Sequence, residues 1–570
     1  MEVAIAQDEA RLTLRLAEWE HADGLRPRKL FYPYHAFCLK TDAERGAAVL
    51  PYWQGVVIPS YIFPMNGGRF CMWDDAQHEP GAVGELRYYG WDGLVMPWFG
   101  IHDDSAAAMA VVPYDGSVGV QWVANHNDCR ASAPVTRERT TLPRILALTP
   151  VWHMSEAKPG TEISLFFLPD TDHVGMAKRY RKIASENGLL VTLKEKAEAN
   201  PDVKKLRGAI YTGIYGGYPH YVNMPGMAFD FDDLEAVIRN MHENQNVTKA
   251  IIHAWGTFEN YPPSPWPISE ALGGPVTLRR VVTRAKSYGW LFSSYHSFVS
   301  LLEHDPRYDI GLAPKDERGR PSLGSRWKAV DEARWADLAR QTLPREIEAI
   351  GQNADITDIA FTGRVGEGGR MLAEYLASTG LVLGTERGNE WLVPRYHMFE
   401  GMVAPYRETP LARYSHPAPL FNLVYHDAIA NFGKIQDPNH LAINATGDYY
   451  IKTLRAMLHG DGPMVFISPY EYEGIKPYLR FAAEFLCPIH DSVAFEELTD
   501  HAYLSEDALI QRSRFANGVE VLVNLGPTPW KSPMDGELPG YGFRVRRTDG
   551  SVFAGRFRHS AKIDSRDWDF

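Results

Sequence analysis

Several apolar runs in the middle of the chain end in side chains able to do chemistry. RGAIYTG carries Tyr211 and leads to Tyr215, KAIIHAW ends in His253 and Trp255, and WLFSSYH ends in Tyr295 and His296. DIAFTG holds Thr362 with Arg364 just beyond, LVLGTE ends in Glu386 followed by Arg387, LFNLVYH ends in Tyr425 and His426 followed by Asp427, and MVFISPY ends in Tyr470 followed by Glu471. Aromatic rings cover apolar ring faces while imidazole, guanidinium and carboxylate groups bond hydroxyls, so this set suits a polyhydroxylated ligand. Glu386 is the candidate proton donor, because a carboxylate at the mouth of a barrel can protonate a departing oxygen. Its structural alternative is a salt bridge to Arg387 or Arg364. Glu390, four residues on, falls on the next loop or first helical turn, where an acidic side chain also suits a helix N-terminus. His426 and Asp427 either bond substrate and complete the acid–base pair or form a buried hydrogen-bonded support.

Such residues need a scaffold that brings them to one face. From Leu206 the pattern repeats apolar strand, polar loop and amphipathic helix, the signature of a parallel α/β sheet. Eight strands are expected: the seven runs above and HLAINA, with helices such as DDLEAVIRNMHEN, LRRVVTRAKSYG and DYYIKTLRAMLHG between them. A (β/α)8 barrel over 205–487 follows, with its active site at the C-terminal ends of the strands. Residues 1–190 alternate in short runs broken by turn residues and read as a β-sandwich with a helical linker, and 488–570, with NG, PG and DG turns, as a small β-domain. The fold class is therefore multidomain, α/β with flanking β.

Composition narrows the function. A net charge of −12 and the absence of a basic stripe exclude a nucleic-acid partner. Neither a GxGxxG after the first strand nor a P-loop is present, and the dispersed histidines, without HExxH, imply no metal and no cofactor. The N-terminus lacks the pattern of a signal peptide, and no apolar run approaches the roughly 18 residues of a membrane span, so a cytoplasmic protein without a membrane partner is expected unless a leader has been removed. Oligomeric state is not legible, and a homodimer stays open.

MPWFGIHDDSAAAMAVV, LGTERGNEWLVPRYHMFEGM and PLFNLVYHD resemble glycoside hydrolase family 129 and, more distantly, family 101, both α-N-acetylgalactosaminidase families. The resemblance implies a carbohydrate substrate, retaining chemistry and a fifth-strand acid/base that maps onto Glu386. It also implies an Asp nucleophile at the end of the fourth strand, where DIAFTG offers Thr362 or Gly363, with Asp358 at the expected buried start. A second carboxylate is then sought elsewhere: Asp427 first, with Glu367, Glu471 and Glu390 behind it. The expected function is a glycoside hydrolase acting on an α-linked or unusual glycoside. A non-catalytic sugar-binding protein, and a lyase or transglycosylase using the same cleft, are the competing readings.

Overall fold

The computed structural model describes residues 2–6, 10–19, 27–40, 46–60, 82–88, 93–125, 145–215, 229–258, 266–302, 305, 307–315, 319–321, 327–357, 366–402, 415–434, 449–469, 472–533, 536–557 and 568–569. The chain forms two compact units, Met1–Asn187 with Val403–Val424, and Gly188–Met402 with Tyr425–Phe570.

The first unit is built from two antiparallel sheets. One, of eight strands, runs in the order Glu2–Ala6, Arg11–Arg15, Glu162–Pro169, Ala106–Val111, Trp98–Asp103, Gly46–Leu50, Val56–Pro59 and His416–Pro417. The other centres on Ile145–His153, which pairs with Val118–Asn125, Lys29–Phe31 and Phe37–Lys40. Alternate residues of both sheets enter one core: Leu14, Phe99, Ile101 and Leu165 from the first meet Leu86, Trp122, Leu148 and Trp152 from the second. Two sheets closed on one apolar layer make a sandwich, as their period-two patterning predicts.

The second unit holds a closed parallel barrel. Its eight strands are Ile210–Tyr215, Ala250–Trp255, Leu291–His296, Ala354–Thr357, Val382–Glu386, Met398–Glu400, Ala430–Lys434 and Gly462–Ile467. Every second residue points inward, so Tyr211, Ile251, Leu291, Ile356, Val382, Met398, Phe432 and Phe466 share one interior core. Gly213 leaves room for a neighbour there: a Cβ on it would lie 2.5 Å from Cδ1 of Phe466. Amphipathic helices Phe231–Asn244, Gly274–Ser287, Trp335–Ile350, Glu367–Ala377 and Tyr449–His459 follow strands one, two, three, four and seven. A six-stranded antiparallel sheet from Leu498–Tyr503 onward, with a small hairpin, makes up the C-terminal part. No described helix is long and apolar enough to cross a membrane.

The barrel has the expected strand number with a different membership. LFNLVYH is not a strand; Leu420–Tyr425 is a short helix. Its leading residues belong to the first unit, where Phe421 N donates to Gln54 O (2.8 Å) and Ala418 N to Gly55 O (3.0 Å). A short, wholly buried apolar run carries no periodicity that separates helix from strand. The sixth and seventh strands are instead Met398–Glu400 and Ala430–Lys434, and HLAINA lies outside the described residues. The fourth strand is described over Ala354–Thr357, ahead of DIAFTG, whose residues 358–363 lie outside the described set.

The approaches to strands six and seven are tied by a buried lysine. Thr192 opens the helix Leu193–Ala199 with a capping box to Glu195, which orients Lys196 inward. Its ammonium bonds the carbonyls of Val393, Tyr396 and Ala428, which precede strands six and seven. Burial pushes the Lys196 pKa down to about 7, and the charge of Asp427 opposes that shift. Beside it His397, which burial and then the Lys196 charge hold at about 3, is neutral and accepts from Leu383 N at 2.8 Å. Lys196→Met strands three buried carbonyls and is expected to lower stability by about 2–4 kcal/mol. Denaturant unfolding of the full chain checks this, and a change below about 0.5 kcal/mol would contradict it.

Candidate active site at the C-terminal ends of the barrel strands

Parallel register decides which side chains reach the same rim. Tyr215 pairs with Trp255 at the ends of strands one and two, and Tyr295 occupies the corresponding part of strand three. The Trp255 and Tyr295 rings stack with centroids 4.1 Å apart at 16°. Tyr215 meets Trp255 edge-on at 5.3 Å, and Phe466 from strand eight lies 5.6 Å from Trp255. Tyr215 and Trp255 are half-buried, so this wall keeps part of its aromatic surface open, as stacking against a sugar ring requires.

On strand five the half-buried Glu386 is followed by Arg387 in the left-handed region, at φ 46°. That conformation is uncommon for a residue with a Cβ and turns the chain away sharply after the carboxylate. The turn is pinned by Arg387 N donating to Glu400 O at 2.9 Å. It also requires glycine at 388, where a Cβ would lie 2.1 Å from the Phe399 ring.

Glu386 stands in register with Glu400 on strand six. Both occupy the inward-facing set of their strands, with Val382 and Met398 below them. The Glu400 side chain is 3% exposed. Its Oε2 accepts from the Tyr211 hydroxyl and lies 3.2 Å from His253 Nδ1. The Tyr211 oxygen also contacts His253 Nδ1, and Trp255 Nε1 approaches the same nitrogen at 3.3 Å. His253 Nε2 is buried without a hydrogen-bond partner. The mouth thus offers the half-buried Glu386, a closed carboxylate network beneath it and an aromatic wall. Among the described residues no cluster of three or more His, Cys, Asp or Glu could hold a metal.

Of the residues singled out in the sequence, Tyr211, Tyr215, His253, Trp255, Tyr295, Glu386 and Arg387 lie on the interior or upper end of the barrel strands or directly after them. His296 closes the backbone of strand three. Thr362, Arg364, Tyr470 and Glu471 lie outside the described residues. Glu390 does not face the mouth as an open carboxylate: it is fully buried in the turn Glu390–Leu392 and accepts from the Tyr425 hydroxyl at 2.9 Å. Glu367 is the exposed first residue of the helix Glu367–Ala377.

Tyr425, His426 and Asp427 require correction. They precede strand seven, which begins at Ala430, and so belong to the N-terminal face, opposite the mouth. Asp427 O accepts from Leu193 N at 2.7 Å, and the His426 ring nitrogens meet the carbonyls of Glu496 (2.6 Å) and Gly460 (3.1 Å). Asp427 therefore supports the fold beside Lys196, and strand polarity removes it from the acid–base pair. Sequence reasoning missed Glu400, because HMFEG shows only three residues of strand. The readable signal was a carboxylate between the apolar pair Met398–Phe399 and Gly401.

Comparison with known proteins adds the following. Residues 394–514 match the model of the glycosyl hydrolases of family GH129, related to family GH101. No curated protein matches the chain. Among solved structures, the ligand-free α-N-acetylgalactosaminidase NagBb from Bifidobacterium bifidum is similar over 92% of this chain and 86% of that one, at 20% identity and a TM-score of 0.69. Its GalNAc complex is similar over 92% and 85%, at 21% identity and a TM-score of 0.70. A GH36 α-galactosidase, AgaA from Geobacillus stearothermophilus in complex with raffinose, covers 97% of this chain and 76% of that one, at 9% identity and a TM-score of 0.53. At these identities the likeness is one of fold, and it extends through the β-sandwich and the closed parallel barrel alike.

Proposed function

We infer that this protein is a glycoside hydrolase acting on α-linked galactose-type sugars, with α-N-acetylgalactosaminides as the leading class, and that Glu386 is its general acid. The observation that carries the reading is the half-buried Glu386 at the C-terminal end of strand five, followed by the strained Arg387, in a mouth whose other rim bears the Trp255–Tyr295 stack. The substrate class is supported by the family match over 394–514 and by the fold shared with the α-N-acetylgalactosaminidase.

The second carboxylate is drawn from the chain after strand four. Thr357 pairs with Thr385, so the next residues in the two sequences are Asp358 and Glu386. Asp358 lies outside the described residues, and its assignment rests on this sequence position. In the proposed reaction a carboxylate oxygen of Asp358 attacks the anomeric carbon as the glycosidic bond breaks, and the Glu386 proton passes to the departing oxygen. Glu386, now a carboxylate, takes a proton from water, whose oxygen displaces Asp358 and releases the sugar with its anomeric configuration retained.

Two measurements test the reading. Glu386→Gln is expected to lower turnover at least about 10²-fold on glycosides with poor leaving groups, and to slow a nitrophenyl glycoside much less, because that leaving group departs without protonation. Equal turnover by wild type and variant on the poor leaving group would remove Glu386 from the mechanism. Asp358→Asn is expected to abolish turnover with both leaving groups, and NMR of the wild-type reaction should detect the α-anomer first. A first-formed β-anomer would replace the ester by direct attack of water. Tight binding of N-acetylgalactosamine without turnover of any α-glycoside would instead identify a sugar-binding protein.

A further inference from the structure

We propose that Glu400 is a positioning residue that holds His253 in the tautomer protonated at Nδ1, leaving Nε2 as a bare acceptor for a hydrogen-bond donor of the bound glycoside. His253 Nδ1 is crowded: it faces the Tyr211 oxygen, Glu400 Oε2 at 3.2 Å and Trp255 Nε1 at 3.3 Å. One ring nitrogen either donates a single hydrogen or accepts one. With a bare Nδ1, the Trp255 N–H bond would form, but two lone pairs would oppose each other where the carboxylate oxygen meets the imidazole in a site closed to water. With Nδ1–H, the Trp255 N–H loses that acceptor, and the imidazole donates to the Glu400 carboxylate instead, a charge-assisted bond about twice as strong as the neutral one it replaces. The carboxylate therefore selects the tautomer, in the way a carboxylate behind an imidazole fixes its ring orientation and proton in metal and catalytic sites.

The consequence falls on Nε2. His253 is 1% exposed, and Nε2 has no partner. A buried polar atom left unpaired costs free energy that a ligand supplying a donor recovers. The ring adjoins both members of the aromatic stack, with centroids 5.3 Å from Tyr295 and 5.9 Å from Trp255. The donor must then be a hydroxyl or an acetamido N–H on the sugar ring that lies against that stack. Glu400 makes no contact with the reacting atoms in this account and acts through His253. The identity of the donor rests on the glycosidase reading, whereas the tautomer does not.

The experiment separates the two. The full-length protein is labelled with 15N-histidine, His253→Gln identifies the ring signals, and long-range proton–nitrogen correlation reads the tautomer without any substrate. The expected result is Nδ1–H in wild type and in Tyr211→Phe, which keeps the carboxylate, and Nε2–H in Glu400→Leu. Nε2–H in the wild-type protein overturns the proposal whether or not any variant folds, and so does an unchanged tautomer in a folded Glu400→Leu. On a nitrophenyl α-N-acetylgalactosaminide, Glu400→Leu is expected to raise KM about tenfold with kcat within about twofold, since a lost ground-state contact acts on binding. A fall in kcat alone would contradict the role. If no glycoside is turned over by wild type while the tautomer responds as expected, the glycosidase reading fails and the Glu400–His253 coupling stands.

Discussion

The register of eight parallel strands closed on themselves assigns each polar side chain of the barrel to one of two ends. Because all strands run the same way, a residue that ends a strand lies at the mouth, and one that precedes a strand lies at the opposite face. Glu386 ends strand five and pairs with Glu400, which ends strand six, so two carboxylates meet on the inner surface of adjacent strands. The surroundings of the two side chains differ. Glu400 is closed over by Tyr211 and His253, while Glu386 is only half-buried.

The same polarity divides the work between the two faces. At the N-terminal side, Lys196 draws three carbonyls together, neutral His397 joins strand five to the approach of strand six, and the backbone of Asp427 receives the helix Leu193–Ala199. These contacts fix the approaches to strands six and seven and tie them to strand five. At the mouth the pattern reverses: Arg387 is strained, His253 Nε2 is unpaired, and part of the Trp255–Tyr295 wall is open. Unsatisfied or strained groups collect where binding can relieve them.

Much of this organisation was legible in the sequence, and the failures have a physical pattern. Strands one, two, three, five and eight announce themselves because an apolar run ends abruptly in polar or aromatic chemistry, as in KAIIHAW and LVLGTE. Met398–Glu400 is too short to show alternation, and Ala430–Lys434 carries Asn431 and Gly433 on either side of Phe432, residues that rarely mark a strand. With both unseen, PLFNLVYHD supplied a substitute of the right hydrophobicity. Its buried helix closes an excursion, residues 403–424, that belongs to the first unit. One displaced strand then carried Asp427 from the N-terminal face to the mouth and hid Glu400. DIAFTG, residues 358–363, lies outside the described residues, and the described part of strand four, Ala354–Thr357, precedes it in sequence.

A crystal structure with an α-N-acetylgalactosaminide bound to the Glu386→Gln protein measures most directly whether sugar chemistry takes place at the C-terminal mouth, between two carboxylates. The sugar ring should lie against Trp255, with the glycosidic oxygen within hydrogen-bond reach of residue 386 and the carboxyl groups of residues 358 and 386 about 5–5.5 Å apart, the spacing of a retaining pair. A sugar bound away from this mouth, or a separation beyond about 9.5 Å, would contradict it.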